Sequence, residues 1–465
     1  MMLNLREAAT ALKGKLVASD SQLEFARVTT DSRDIRPGDL FVALKGERFD
    51  AHDFVAAALD QGAVAALVQE PGEGNRIIVK DTLAALGELA KYWRAKHAHI
   101  PLIGVTGSNG KTSVKEMLAS IFTVAAGGEH LVHATKGNLN NHIGLPLTVL
   151  GIHAEHRFVV AEMGMNHFGE IDYLTHIAQP DVALVNNAGA AHLEALGSVE
   201  GVAKAKGEIF AGLVANGTAI INADDQYAPL WKSLAAKNTI VTFGFNGEVS
   251  ASNVELLPTG SQFALTTPQG SADVRLAVPG EHNVRNALAA AAAALAVGVS
   301  LPQVAQGLCQ WGGVKGRLQA KTAANGAAIL DDTYNANPDS MKAAVNVLAA
   351  IGQRGVPTIL VLGDMGEVGD EAIQCHQAIG GYAREQGIQH FVAVGTHMQY
   401  AVDAFNAAGG QAAVHCADHA AAIAAVTAIA TPNSQILVKG SRFMRMEKVV
   451  DGLVNLSEQG AQPCC

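Results

Sequence analysis

The residues best equipped for chemistry sit in the stretch Thr106-Gly107-Ser108-Asn109-Gly110-Lys111-Thr112-Ser113. Glycines allow backbone N–H groups to turn inward toward phosphate oxygens. A lysine brings a mobile positive charge, and a threonine hydroxyl can ligate Mg²⁺. The chemistry on offer is the binding of nucleotide phosphates. Gly107, Ser108, Asn109 and Gly110 would act as the cradle, Lys111 would reach the outer phosphates and Thr112 would hold a cation. The strict G-x-x-x-x-G-K-[ST] pattern requires glycine at position 105, where this chain has Val105. Taken by itself, the stretch therefore implies phosphate binding and nothing more. A second set of reactive side chains follows apolar runs. Glu162 ends Phe158 to Ala161, His192 comes after Val182 to Val185, and Asp332 comes after Ala327 to Leu330. A carboxylate at the C-terminal edge of a parallel strand points into the usual ligand crevice. Each of these has a plainer reading: a solvated strand end, a hydrogen-bonding histidine, or, for Lys206 and Lys204, an exposed helix lysine. Thr135, Asn138, Asn140 and Asn141 read equally well as an asparagine-rich turn.

Three groups of elements must position these residues. Residues 1–98 open with an amphipathic helical pattern over MMLNLREAATALKGKL, then offer a buried strand at 39–44, a helix at 53–61 closed by Gly62, and a helix near 81–96. Residues 99–313 hold short continuous apolar runs at 101–105, 158–161, 182–185, 218–221 and 240–243, most of them separated by helical stretches. That alternation predicts a parallel sheet with helices on both faces. The Gly-, Thr- and Pro-rich stretch 245–280 predicts antiparallel strands, and Asn286 to Val297 an alanine-rich helix with His282, Asn283 and Asn286 at its start, Asn283 being suited to an N-cap. Residues 314–465 offer strands at 327–330, 358–362, 391–394 and 436–438, again the pattern of a doubly wound sheet. The expectation is an α/β protein of three domains, a small substrate domain, a central ATPase-like sheet and a Rossmann-like C-terminal sheet.

Bulk properties exclude several classes. The 465 residues are 49% apolar and 16% charged, with a net charge of −10. A nucleic-acid platform usually carries a basic face, so none is expected. No apolar run reaches the roughly 20 residues that span a bilayer, and the N-terminus lacks a signal pattern. A cytoplasmic protein is expected. The five cysteines form no C-x-x-C pair and read as free thiols, the adjacent Cys464 and Cys465 included.

TGSNGKT after a strand resembles the phosphate loop of the Mur ligases, which build the peptide of bacterial peptidoglycan precursors. AHLEALGSVEGVAKAKGEIF, EHNVRNALAA, GRLQ and DDTYNANPDSM resemble, in order, further motifs of that family. TKGNLNNHIGLPLTVL, AEMGMNHFGEI and the DDTYNANP loop resemble the member that adds a dipeptide. The resemblance implies an ATP-dependent ligase that joins D-alanyl-D-alanine to the carboxylate of UDP-N-acetylmuramoyl-tripeptide through an acyl-phosphate, acting as a monomer. It implies that Glu162 and Thr112 bind Mg²⁺, that His192 contacts a second Mg²⁺, and that Lys206 carries a carbamate for that second ion. It places Asn283 and Asn286 near the adenine, Arg317 on phosphate, and Asp332, Tyr334, Asn335 and Asn337 around the ribose. Asp31, Ser32, Arg33 and Lys45 resemble uridine-nucleotide contacts, and Thr135, Asn138, Asn140 and Asn141 a substrate-carboxylate loop. Asp364, Glu367 and Lys439 to Arg442 would frame the dipeptide. A related ligase, of another Mur type or the folylpolyglutamate type, and an ATP-sensing module without ligase activity are the competing readings.

Overall fold

Strands in this chain form where apolar residues run continuously, because both faces of each sheet are covered. In the computed structural model, which describes residues 1–46, 49–410 and 412–455, the central sheet has six strands, all parallel. Their order is Thr239–Phe243, Thr218–Asn222, Val182–Val185, Leu102–Thr106, Phe158–Glu162, Val132–Ala134. Alternate residues serve opposite cores, as the period of two in a strand demands. Leu102, Val159, Ala161, Ala183 and Val185 pack with Leu86, Leu89 and Trp93 of helix Thr82–Lys96 and with Ile171 and Ile177. Ile103, Val105, Val160, Val182 and Leu184 face the other way, onto Val114 and Leu118 of helix Lys111–Ala126 and onto helix Glu281–Ala296. That alanine-rich helix buries eleven residues, and its small side chains let the antiparallel strands Ser250–Leu257, Gly260–Thr267 and Gly270–Leu276 share the same core.

The N-terminal sheet runs Lys15–Val17, Arg76–Ile78, Ala65–Val68, Asp39–Val42, Arg27–Thr29. Buried Arg94 of helix Thr82–Lys96 fixes that helix to the central unit, donating to the carbonyls of His97 and Ala178 and pairing with Asp181 at 3.0 Å. The C-terminal sheet runs Gln319–Thr322, Ala328–Asp332, Gln435–Lys439, Thr358–Gly363, His390–Val394, Ala413–Cys416, with only the first strand antiparallel. Helices cover both of its faces. Among the described residues no helix is long and apolar enough to cross a membrane.

Three local expectations change. The N-terminal pattern gives a helix only over Leu5–Ala11, capped by Asn4, whose side chain accepts from Glu7 N–H at 2.8 Å. The chain then turns at Lys13 (φ +50°) and continues as a strand, because pairing Lys15–Val17 with Arg76–Ile78 outweighs helix propensity there. The stretch 53–61 divides into a 3₁₀ turn, Ala51–Phe54, and helix Val55–Asp60. Asn283 is no N-cap: the helix begins at Glu281, and Asn283 lies buried in its first turn, its side chain donating to Pro279 O at 2.8 Å. Cys309, Cys375 and Cys416 are free thiols; Cys464 and Cys465 lie outside the described residues.

Candidate active site

The glycine stretch lies between the C-terminal end of strand Leu102–Thr106 and the start of helix Lys111–Ala126. Gly110 sits at φ +80°, where a Cβ would strike the side-chain amides of Asn286 and Asn186. Only glycine fits a left-handed position so closely covered. Asn186 donates to Asn109 O and to Asn286 Oδ1, both at 2.9 Å, and Asn187 Oδ1 accepts from Asn109 N–H at 2.8 Å. The loop is thus held open by the neighbouring strand end and by the helix Glu281–Ala296. Lys111 folds back, its ammonium donating to Gly107 O at 2.6 Å. Burial lowers its pKa, and the Glu162 carboxylate works against that shift.

Beside the loop lies a cavity of ≈ 390 Å³ between the central and C-terminal sheets. Asn109, Gly110, Ser113, Asn283 and Asn286 line it from one side, and Arg317, Asp332 and Lys439 from the other. Asp332 pairs with Lys439 at 2.8 Å. His282 also lines it, and burial pushes its imidazole down to about 4, which keeps it neutral. Arg317 stacks on Tyr334 at 4.5 Å and donates to the Thr112 hydroxyl at 3.1 Å, while its buried Nε has no partner. Asn337 caps helix Pro338–Gly352 and also donates to Asn109 Oδ1 across the seam at 2.8 Å. Asn335 does not line the cavity; its carbonyl accepts from Lys439 at 2.7 Å.

Glu162 is 2% exposed. Its backbone N–H donates to Thr135 Oγ1 at 2.9 Å, Asn140 donates to its Oε1 at 2.7 Å, and its Oε2 is buried without a partner. An orphaned buried carboxylate oxygen is the kind of atom a cation satisfies. Thr135 and Asn140 thus gather at Glu162. Asn141 instead accepts from the N–H groups of Ile143 and Gly144, and Asn138 is exposed, so these two act as turn formers here.

Lys204 and Lys206 separate cleanly. Lys204 is exposed and pairs with Glu200 at 2.7 Å. Lys206 is 1% exposed, and among the described residues its amine has neither an ion pair nor a hydrogen bond. Burial, with Lys111 nearby, drives its pKa well below the ordinary lysine value, which favours the neutral amine. His192 adopts a left-handed backbone (φ +57°), and its Nδ1 lies 3.2 Å from Glu367, in the loop after strand Thr358–Gly363. The loop Asp31, Ser32, Arg33 lies apart from this cavity. Arg33 pairs with Asp31 at 2.8 Å and pulls its carboxyl down to about 2, and Lys45 approaches Asp50 at 3.6 Å.

Three family models match in succession: a Mur ligase family catalytic domain over 24–94, the Mur ligase middle domain over 105–294, and the glutamate ligase domain over 316–442. This chain is a Mur ligase. It is 44% identical to the UDP-N-acetylmuramoyl-tripeptide–D-alanyl-D-alanine ligase of Escherichia coli K12, across 97% of this chain and 98% of that protein. The enzyme of the same name from Bacillus subtilis is 35% identical across 97% and 98%. Among solved structures, MurF from Acinetobacter baumannii matches with a TM-score of 0.90 at 40% identity, covering 97% and 98% of the two chains. MurF from Thermotoga maritima in complex with ADP matches at 0.82 and 25%, covering 95% and 100%. In this Mur ligase the cavity is also lined by Asn186, Asn222, Asp225 and Asp339, to which the motifs alone gave no role. Asn222 donates to Asn186 O, Asp225 accepts from Ala188 N–H, and Asp339 accepts from Ala190 N–H, each at 2.9 Å. The signal was an Asn-Asn-Ala-Gly turn directly after a strand, which marks a strand-end crevice.

Proposed function

We infer that this Mur ligase forms the amide between D-alanyl-D-alanine and the terminal carboxylate of UDP-N-acetylmuramoyl-tripeptide, cleaving ATP to ADP and phosphate and making the pentapeptide precursor of peptidoglycan. Full-length identity to ligases of that name supports the substrates. The observation that carries the chemistry is the seam cavity with the phosphate loop, and Glu162 at a strand end and Lys206 on helix Val199–Gly207 both acting on Lys111.

A carboxylate is a poor acceptor for an amine, and phosphorylation gives it a leaving group. The chain's task is to cradle the phosphates, align the carboxylate and exclude water. Asn187 holds the N–H groups of Ser108 and Asn109, which leaves those of Gly110 and Lys111 and the start of the helix to meet the phosphates. Lys111 swings from Gly107 O to the outer phosphate, and Arg317 brings its unpartnered Nε. Asn283, Asn286 and Asp332 line the space for base and ribose. Mg²⁺ would be held by Thr112 and Glu162, where it neutralises phosphate charge. The neutral amine of Lys206 can add to CO₂ with loss of a proton, and the resulting carbamate, with His192, would hold a second Mg²⁺. Asp31, Ser32, Arg33 and Lys45 would take the uridine end. A nucleotide-linked precursor and ATP place the reaction in the cytoplasm.

The test is phosphate release by the purified chain with ATP and the tripeptide precursor, with and without D-alanyl-D-alanine, beside the dipeptide precursor with a diamino acid. Release that requires both tripeptide and D-alanyl-D-alanine is expected. ATP turnover indifferent to any amine would refute the ligase reading, and preference for the dipeptide precursor would move the chain elsewhere in the family.

A further inference from the structure

Lys115 is a buried cation that meets neither the seam cavity nor solvent. It lies one helical turn after Lys111 on helix Lys111–Ala126, is 1% exposed, and is not among the residues lining the cavity. Burying an ammonium costs free energy unless its donors are met. Its Nζ donates to Thr135 O at 2.8 Å, and the half-buried Glu116 carboxylate lies 2.7 Å away.

Thr135 stands where strand Val132–Ala134 gives way to an exposed loop. Its N–H donates to Val160 O at 3.0 Å, extending the strand pairing by one residue. Its carbonyl is taken by Lys115, and its hydroxyl accepts from Glu162 N–H at 2.9 Å. Residues 136–139 are exposed, and the chain returns at Asn140. There the side chain donates to Glu162 Oε1 at 2.7 Å, and the carbonyl accepts from Gly164 N–H at 2.8 Å. A Cβ at Gly164 would lie 3.0 Å from the Asn140 amide, so glycine is what lets that amide pack so close. Both ends of the loop thus grip Glu162, one at its backbone and the other at Oε1, while Oε2 is left without a partner.

We propose that Lys115 is a positioning residue for Glu162: by fixing the Thr135 carbonyl it keeps the Thr135 hydroxyl on Glu162 N–H, and so keeps Oε2 placed for the Mg²⁺ that accompanies the nucleotide. This rests on the ligase reading above. One rigid helix then sets three things in a single frame: the phosphate-reaching Lys111, the Thr112 hydroxyl and, through Thr135, the carboxylate opposite. Lys115 touches no substrate and takes no part in bond making.

The test uses Lys115→Met, Lys115→Arg, Thr135→Val and the double variant Lys115→Met/Thr135→Val. ADP binding is measured by calorimetric titration in EDTA and over graded Mg²⁺. In EDTA, Lys115→Met should bind ADP within about twofold of wild type, because Lys115 is separate from the cavity lining. The Mg²⁺ concentration that half-enhances ADP affinity should rise about 10- to 100-fold, as happens when an outer partner of a metal ligand is removed. Lys115→Arg, which keeps the charge, should recover part of that loss. Thr135→Val should raise the same midpoint, and the double variant should go no more than about twofold beyond the larger single effect, since both changes act along one chain of bonds. An unmoved Mg²⁺ midpoint in Lys115→Met would overturn the proposal. So would an equal loss of ADP affinity in EDTA, which marks mere support of the fold, or effects of the two substitutions that multiply. Should circular dichroism show Lys115→Met unfolded, Thr135→Val decides: a wild-type midpoint there overturns the proposal. A wild-type chain that binds no ADP under either condition would instead sink the underlying ligase reading.

Discussion

Replacing Lys206 by methionine should stabilise this protein while abolishing its activity. The side chain is buried, and burial lowers its pKa below that of the unfolded chain. Methionine fills a similar volume without the polar end. Burial penalises the charged amine in the folded chain, and removing that penalty returns about 1–3 kcal/mol. In a cooperative unit of the size of the central sheet, that raises the unfolding midpoint by roughly 2–4 °C per kcal/mol. The pH dependence has a definite sign. The folded-state pKa lies below the unfolded value, so between the two the unfolded chain binds the extra proton and wild-type stability rises with pH. The advantage of Lys206→Met is therefore largest toward neutral pH and fades as the ordinary lysine pKa of about 10.4 is approached. Differential scanning calorimetry in CO₂-free buffer at pH 7 and pH 9.5 measures this, with phosphate release measured in parallel. Added bicarbonate should raise the wild-type midpoint and leave the variant unmoved. A variant less stable than wild type at pH 7 without CO₂ would refute the argument, because it would mean the amine is satisfied.

Other perturbations follow from the same geometry. Gly110→Ala should weaken ADP binding by about 2–3 kcal/mol, summing a left-handed β-carbon and the lost Asn186–Asn286 bond; calorimetric titration checks it, and unchanged affinity would mean the loop relaxes freely. Glu162→Gln should raise the Mg²⁺ needed for half-maximal phosphate release by more than about tenfold, as loss of a charged ligand does, with little loss of fold, seen by metal titration beside circular dichroism. His133, half-buried and donating to Thr148 O at 2.7 Å, is pushed down to about 4 by burial. Its folded pKa is depressed, so stability falls as pH drops from about 6.5 to about 4, by at most about 3 kcal/mol. His133→Phe should flatten that acid limb of the stability curve; an unaltered limb would show that His133 is not its source.

Much of this architecture is legible because its causes are local. Continuous apolar runs such as Val182 to Val185 need burial on both faces, so they announce parallel strands. Strand, glycine turn and Lys-Thr announce a phosphate loop. What escaped depends on distance along the chain. Strand Val132–Ala134 is a half-buried edge and Gln319–Thr322 is polar on alternate residues, so neither stands out by composition. The bond from Asn186 to Asn286 joins residues far apart in sequence, and nothing in either neighbourhood points to the other. Asn283 misled because its residue type suits a cap, whereas the fold puts it inside the helix facing a cavity. Lys206 could be told from Lys204 only by resemblance until burial separated them.

The seam has one further consequence. Its two halves are joined by a short connector in which Gly313 (φ +89°) and Gly316 (φ +71°) take conformations that other residues resist. Closing them is an intramolecular event, with an effective concentration fixed by that connector. Measured nucleotide affinity therefore contains the free energy of bringing the halves together. Stiffening or lengthening the connector alters how tightly ATP is held without touching a single atom that meets it, and the chain's appetite for nucleotide becomes a mechanical property as much as a chemical one.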